Sequence, residues 1–426
     1  CNVMINVLEH GIKADGIFDN TDVLQRLIDG LMPSGGTLYF PPGIYLCGSL
    51  CLHSNTVIYL DAGAVISASG DFGKYPVITK EQIPGFVRGT RRGIFFALNA
   101  ENICIKGEGT VDGNGENWWK SGESDTKRPR TIQFINCKTV AIKDIKIKNS
   151  PCWTINPICC DNVTVDNVTI NNPYNAPNTD GINPESCKNV RISNCCVDVG
   201  DDCLTIKSGL ESDILQKEKA CENITVTNCV FAHGHGGVVI GSEMSGGVKN
   251  VTVSNCIFQN TDRGIRIKTR RKRGGVVEEL LVNNVIMDNV IAGVTVNGYY
   301  ICGADPDNAE LFSQDALKIT EDTPVVKNLI LSDIIMKNVL GAGIYMYGIR
   351  EMPVSNVKIS NINISMKPDG NRHLSVMAPH IKPSNGEGVY LKNVKDITVT
   401  DICVETTAEK FIVNNAENTY INGEKV

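Results

Sequence analysis

One short pattern recurs along the chain: a polar turn, often Asn-bearing, followed by apolar residues at alternate positions. It reads "ENICIKGE" from Glu101, "KTVAIKDI" from Lys138, "DNVTVDNV" from Asp161, "KNVRISNC" from Lys188, "ENITVTNC" from Glu222 and "KNVTVSNC" from Lys249. Further copies begin at Lys327, Ser355 and Lys395. Alternation is the period of a strand with one face in a core. Val140, Val163, Val190, Ile224 and Val251 mark successive copies, 23, 27, 34 and 27 residues apart. This spacing suits the coils of a solenoid with variable loops.

A second alternating phrase follows within each coil: "CWTIN", "GINPE", "CLTIK", "GVVIG", "GIRIK", "GVTVN", "GIYMY" and "GVYLK". Stacked in register, Ile182, Leu204, Val238, Ile265 and Val294 form one inward layer. Ile206, Ile240, Ile267 and Val296 form the next. The pattern predicts an all-β chain folded as a right-handed parallel β-helix. No helical period recurs per coil, which argues against a leucine-rich-repeat horseshoe, and hairpin spacing is missing, which argues against a sandwich. "NTDVLQRLIDGLM" (20–32) is the helical exception, with Asn20 or Thr21 as its cap. It predicts a short helix closing the N-terminal end of the core, and "GGTLYFPPGIYL" after it reads as the first coils. No linker interrupts the pattern, so residues 1–426 read as one domain, with 1–50 including the cap and 71–130 as an insert walling one end of a cleft.

The chain is 42% hydrophobic with a net charge of -6, which argues against a general nucleic-acid binder. No apolar run is long enough to span a bilayer. The 17 cysteines recur in phrases such as "INCKTV" and "SNCCV", as small fillers of a repeating core, and lack the paired spacings of a zinc site. Together with the lack of a leader in the sequence as it begins, they predict a reducing, cytoplasmic setting. A trimmed signal peptide is the alternative.

Outward positions of the stacked strands carry the chemistry: Asn183 and Glu185, Thr205 and Lys207, Arg266 and Lys268, Thr295 and Asn297. The first position of each phrase is Gly181, Cys203, Gly237, Gly264 or Gly293, which predicts an open floor for a ligand. At the corner just before these strands come Asp180, then Asp201 and Asp202, then His235. One Asp at a turn is an ordinary turn residue. Three stacked carboxylates beside Arg266 and Lys268 fit glycoside hydrolysis, which needs an acid for the leaving oxygen and a carboxylate to activate water. Two cations on one face suit a sugar carboxylate.

"NTDG" (178–181), "GDDC" (200–203), "GHG" (234–236) and "RIK" (266–268) together resemble the polygalacturonases of glycoside hydrolase family 28, in the family's order and on successive coils. The resemblance implies hydrolysis of α-1,4-galacturonosidic bonds with inversion. Asp201 would be the general acid, and Asp180 and Asp202 would position and activate water. Asn178, His235, Arg266, Lys268 and Tyr300 would contact substrate, with no metal and no cofactor. "HGGVVIGS" is one residue longer than the common family form, which displaces His235. "PNTDGINPES" is similar to bacterial members that trim oligosaccharides from the end, so exo action on pectin-derived (oligo)galacturonates is expected. The alternatives are an endo-polygalacturonase, a rhamnogalacturonan or xylogalacturonan hydrolase, a pectate lyase, or a non-catalytic glycan-binding β-helix. The basic run "KTRRKRGG" from Lys268 reads either as a solvated loop or as an end wall gripping extra carboxylates. Trp118 and Trp119 read either as sugar platforms or as a buried anchor.

Overall fold

The computed structural model describes residues 4–79, 81–83, 90–124, 127–213, 219–367, 371 and 373–426. The chain groups into two compact units, Cys1–Asp201 with Asp213–Leu215, and Asp202–Ser212 with Gln216–Val426. Each consists of right-handed parallel β-helix coils. In the first unit, Thr56–Leu60, Glu101–Gly107, Lys138–Lys143, Asp161–Asp166 and Lys188–Ser193 stack in one parallel ladder. Val140 faces Val163, which faces Val190, as the repeat predicts. Phe95–Leu98, Ile132–Ile135 and Ile155–Ile158 form a second face, extended by bridges to Ile182 and Glu185.

In the second unit the corresponding face is Leu204–Ile206, Val238–Gly241, Arg263–Lys268, Ala292–Asn297 and Ala342–Tyr347, followed by the start of Glu387–Glu405. Leu204, Val238, Ile265, Val294, Ile344 and Val389 form one core layer, each at most 2% exposed. These side chains are buried without polar groups to satisfy, at roughly 1.5–3 kcal/mol per fully buried aliphatic side chain. The ladder therefore fixes register, since a slip of one residue would put this whole layer on the outer face.

Asparagine explains the turns. Asn162, Asn189, Asn223, Asn250, Asn328 and Asn356 all have positive φ between 52° and 60°, a region that Asn enters more readily than most residues. Their amides also bond from coil to coil, Asn250 to Asn223 at 3.0 Å and Asn356 to Asn328 at 2.7 Å. At the rung Val276–Asp288 this position is Glu279, with φ 58°. That coil is absent from the repeat read in the sequence for this reason.

The chain's start differs in detail from expectation. The helix is Thr21–Gly30, with Leu24 and Ile28 buried. It docks on Leu50–Cys51, where Gln25 donates to the Cys51 carbonyl and accepts from its N–H. Rungs already precede it: Met4–Asn6 pairs with Thr37–Tyr39, and Asp15–Asp19 with the strand Gly43–Cys47. Their short lengths hid the alternation. Within the segment 71–130, Phe95–Leu98, Glu101–Gly107 and Thr110–Asp112 are rungs. Residues 80, 84–89 and 125–126 of it lie outside the described residues. The 16 described cysteines are free thiols, most of them buried, matching the filler role. Among the described residues no helix is long and apolar enough to cross a membrane.

Candidate active site

The first unit carries Asp180 and Asp201. Asp180 is 3% exposed and its Oδ2 accepts from Asn183 Nδ2 at 2.9 Å. The loop before it is clamped by buried Arg128, which donates to Asn178 Oδ1 at 2.6 Å and to the Pro177 and Pro151 carbonyls at 2.7 and 2.9 Å. Asn178 thus spends its side-chain oxygen on holding the loop. Arg128 escaped sequence reasoning because it lies 50 residues upstream in no repeated phrase. Gly200 brings Asp201 to the same loop: a Cβ there would sit 2.7 Å from the carbonyl oxygens of Pro173, Tyr174 and Ala176, so only glycine fits. Carboxylate oxygens of Asp180 and Asp201 lie within 4.8 Å of each other. Asp201 is half-buried, with the more open side chain of the pair.

The second unit begins with Asp202, joined to Asp201 by a peptide bond. Asp202 is 1% exposed; Lys268 Nζ donates to its Oδ2 at 2.7 Å and an Arg266 nitrogen to its Oδ1 at 3.2 Å. Burial raises the pKa of this carboxyl, but the charges of Lys268 and Arg266 outweigh it and hold it down, at about 2. Both cations are thus engaged with one carboxylate. Both cations also lie over the Tyr300 ring, at 5.8 Å for Arg266 and 5.4 Å for Lys268. Burial pushes the Tyr300 hydroxyl well above its ordinary range. Arg266 further donates to the His235 carbonyl at 3.3 Å, while the His235 side chain is exposed. Gly236 is required here, since a Cβ would meet Val239 at 2.4 Å and Asp202 Oδ1 at 3.4 Å.

Arg266 and Lys268, expected beside the aspartates and in contact with substrate, are both engaged with Asp202. Sequence alternation places them on one face but does not reveal a partner 64 residues away. The glycine floor is corrected. A Cβ on Gly264 or Gly293 would strike the sulfur of Met287 at 2.4 Å or of Met336 at 2.3 Å, and one on Gly237 would crowd Phe258. These glycines make room for core side chains at the corner of the coil and present no ligand floor.

In the basic run Lys272 is exposed, whereas Arg270, Arg271 and Arg273 are buried. Arg270 donates to the Tyr300 and Cys302 carbonyls. Arg271 grips Glu351 with two bonds of 2.6 and 2.7 Å. Lys272 pairs with Glu310 and Arg273 with Glu211. The tryptophans divide: Trp118 is buried, stacked 3.6 Å from Phe72 and edge-on to Tyr75, whereas Trp119 lines a groove and donates its indole N–H to the Ser150 carbonyl.

Asp180 and Asp201 are close enough to share a hard cation. Asp202, the third acid, already has its counter-charges in Lys268 and Arg266. Within the first unit, one open carboxyl beside one buried carboxyl is suited to acid–base chemistry.

The profile of a family described as "Glycosyl hydrolases family 28" matches residues 87–375, and one described as "Rhamnogalacturonase A/epimerase, pectate lyase-like" matches residues 4–158. A probable polygalacturonase of Vitis vinifera is 31% identical, over 85% of this chain and 74% of its own length. An exo-poly-alpha-D-galacturonosidase of Dickeya chrysanthemi is 28% identical, over 67% of this chain and 55% of its own. Among solved structures, a hyperthermoactive exopolygalacturonase of Thermotoga maritima has a TM-score of 0.76 at 27% identity, covering 97% of this chain and 92% of its own.

Proposed function

The chain belongs to family 28 of the glycosyl hydrolases, and from that premise we propose how it works as a polygalacturonase, with Asp201, Asp180 and Asp202 in three different roles. The observation that carries this reading is the double ion pair on Asp202. A carboxylate held at about 2 by Lys268 and Arg266 cannot keep a proton to donate, so Asp202 is not the acid. It is also a weak base. Its part is to fix the attacking water and to balance the two cations.

Asp201, the open member, protonates the glycosidic oxygen as the bond to the anomeric carbon breaks. Asp180 takes the proton of the water that forms the new bond. Arg266 and Lys268 hold the substrate carboxylate, and Tyr300, His235 and Asn178 contact the substrate. Inversion is supported by the family resemblance and not by spacing. Nearest oxygens within 4.8 Å fall short of the roughly 6.5–9.5 Å gap common in inverting pairs.

Exo action, which this reading places at the non-reducing end, is supported by the word exo in the names of the Dickeya and Thermotoga relatives. The free thiols support a reducing, cytoplasmic setting, where short galacturonate oligomers would be the substrate.

The test is a time course on defined oligogalacturonates, following reducing ends, ultraviolet absorbance and the anomeric proton signals of the first product. Saturated galacturonate in the β form, released singly, is expected. Internal cleavage would make the enzyme endo-acting, and an α product would overturn inversion. A rise in absorbance would mean elimination and would refute the roles given to the three aspartates. Faster turnover of rhamnogalacturonan or xylogalacturonan would move the substrate, not the chemistry.

A further inference from the structure

The face that carries Arg266 and Lys268 continues within the second unit. In register, Arg266 leads to Thr295, Tyr345 and Tyr390, and Lys268 leads to Asn297, Tyr347 and Lys392. Three coil steps of about 4.8 Å put the far end roughly 14 Å along the sheet. A return segment lies across the face between the two ends. Its Met377 carbonyl accepts from Asn297 Nδ2 at 3.0 Å, and Val376 and Ile381 pack with Tyr345 and Tyr347. Beyond it is a cavity of about 290 Å³, lined in part by Tyr345, Lys382, Glu387, Tyr390 and Lys392.

The cavity has the chemistry of a site for a carboxylated sugar. Lys392 is half-buried; its Nζ lies 4.7 Å over the Tyr347 ring and donates to Gln314 Oε1 at 3.3 Å. Among the described residues, neither it nor Lys382 has a carboxylate within ion-pair distance. A half-buried ammonium gives up part of its hydration, and an incoming carboxylate would compensate that loss. Glu387 is the acid in the lining, and it accepts from the Asn385 N–H at 2.6 Å. Tyr345 and Tyr390 stack with centroids 4.3 Å apart and planes 10° apart, and the half-buried Tyr390 offers an aromatic surface to a sugar ring.

We propose that this cavity is a second saccharide site, in which Lys392 and Lys382 bind the carboxylate of a uronic acid residue and Tyr390 supports its ring. The choice of galacturonate as that uronate rests on the polygalacturonase reading. Calorimetric titration of the Asp201→Asn protein with trigalacturonate is expected to give two sites per chain. Lys392→Met should weaken the second about tenfold or more, to the point of losing it, while Lys392→Arg keeps it. Galactotriose, which lacks the carboxylates, should not fill the second site. One site per chain, a second site indifferent to Lys392→Met, or equal binding of galactotriose would overturn the proposal. Thermal midpoints of the variants separate misfolding from lost binding, and Lys382→Met gives an independent reading of the same site. Hydrolysis of galacturonan by the wild-type protein is scored separately. Its absence would sink the polygalacturonase reading, whereas active wild type with a single site in the titration would sink only this inference.

Discussion

Asp202→Asn should destabilise the second unit strongly. The substitution leaves Lys268 and Arg266, 7% and 5% exposed, without their shared carboxylate. Removing one partner of a buried pair costs about 3–5 kcal/mol, because the remaining charge stays desolvated. Lys268→Met should cost less, since Arg266 still faces Asp202 at 3.2 Å. In the double variant the two costs should fall short of additivity by about 2 kcal/mol. Acid probes the same pairing through the Asp202 carboxyl alone. The Asp202 carboxyl is lowered from 3.8 to about 2, which corresponds to about 2 kcal/mol. Because its folded pKa is depressed, this contribution is fully present above pH 3.8 and is lost as pH falls toward 2. Urea unfolding of the four proteins at neutral pH, repeated between pH 5 and 2, measures both, provided the denaturant slope is unchanged. The wild type's advantage over Asp202→Asn should shrink by about 2 kcal/mol across that acid range. An Asp202→Asn protein within about 0.5 kcal/mol of wild type would refute the ion-pair reasoning. So would equal costs of Lys268→Met in both backgrounds.

Asp201→Asn should cut hydrolysis of oligogalacturonates about 10²–10⁴-fold with little change in stability, and the loss should be much smaller on an aryl galacturonide whose phenolate leaves without protonation. Equal losses on both substrates in initial-rate assays would deny Asp201 the acid role. Trp118→Ala should destabilise the first unit by about 3–5 kcal/mol, read by chemical denaturation, because it empties the space against Phe72 and Tyr75. A loss of substrate affinity with intact stability would instead make Trp118 a sugar platform. Thiol labelling of the native protein should be fast at exposed Cys196, Cys302 and Cys403 and slow at Cys137, Cys160 and Cys187, as mass mapping of labelled peptides would reveal.

Much of the core was legible before the structure. Leu204, Val238, Ile265 and Val294 share a layer because alternation and register are local properties of each phrase. The missed rung Val276–Asp288 marks a limit of that method, since one Glu in place of the turn Asn hid a coil whose apolar positions are regular. The candidate site was legible as a set of residue types but not as a set of bonds. Alternation put Arg266 and Lys268 on one face, whereas their engagement with Asp202 depends on how far each side chain reaches across coils. The partners of the basic run were illegible for the opposite reason. Its charges look free in the sequence, because Glu351, Glu310 and Glu211 and the carbonyls that bind them come from segments with no repeating pattern. The glycines misled because an empty position in a sequence does not say which side of the backbone is empty.

The cysteine column carries a consequence for handling the protein in air. Cys160 stands one coil from Cys137 and one from Cys187, the Cys137 N–H pointing at the Cys160 sulfur at 3.4 Å and the Cys160 N–H at the Cys187 sulfur at the same distance. Coils about 4.8 Å apart fall inside the Cα spacing that a disulfide tolerates. Three thiols in a row with two gaps cannot all be joined, so an oxidant reaching this column would produce two isomers of identical mass, each with a stranded thiol. A preparation that looks homogeneous by intact mass would then hold two covalent populations, which only digestion under non-reducing conditions would resolve.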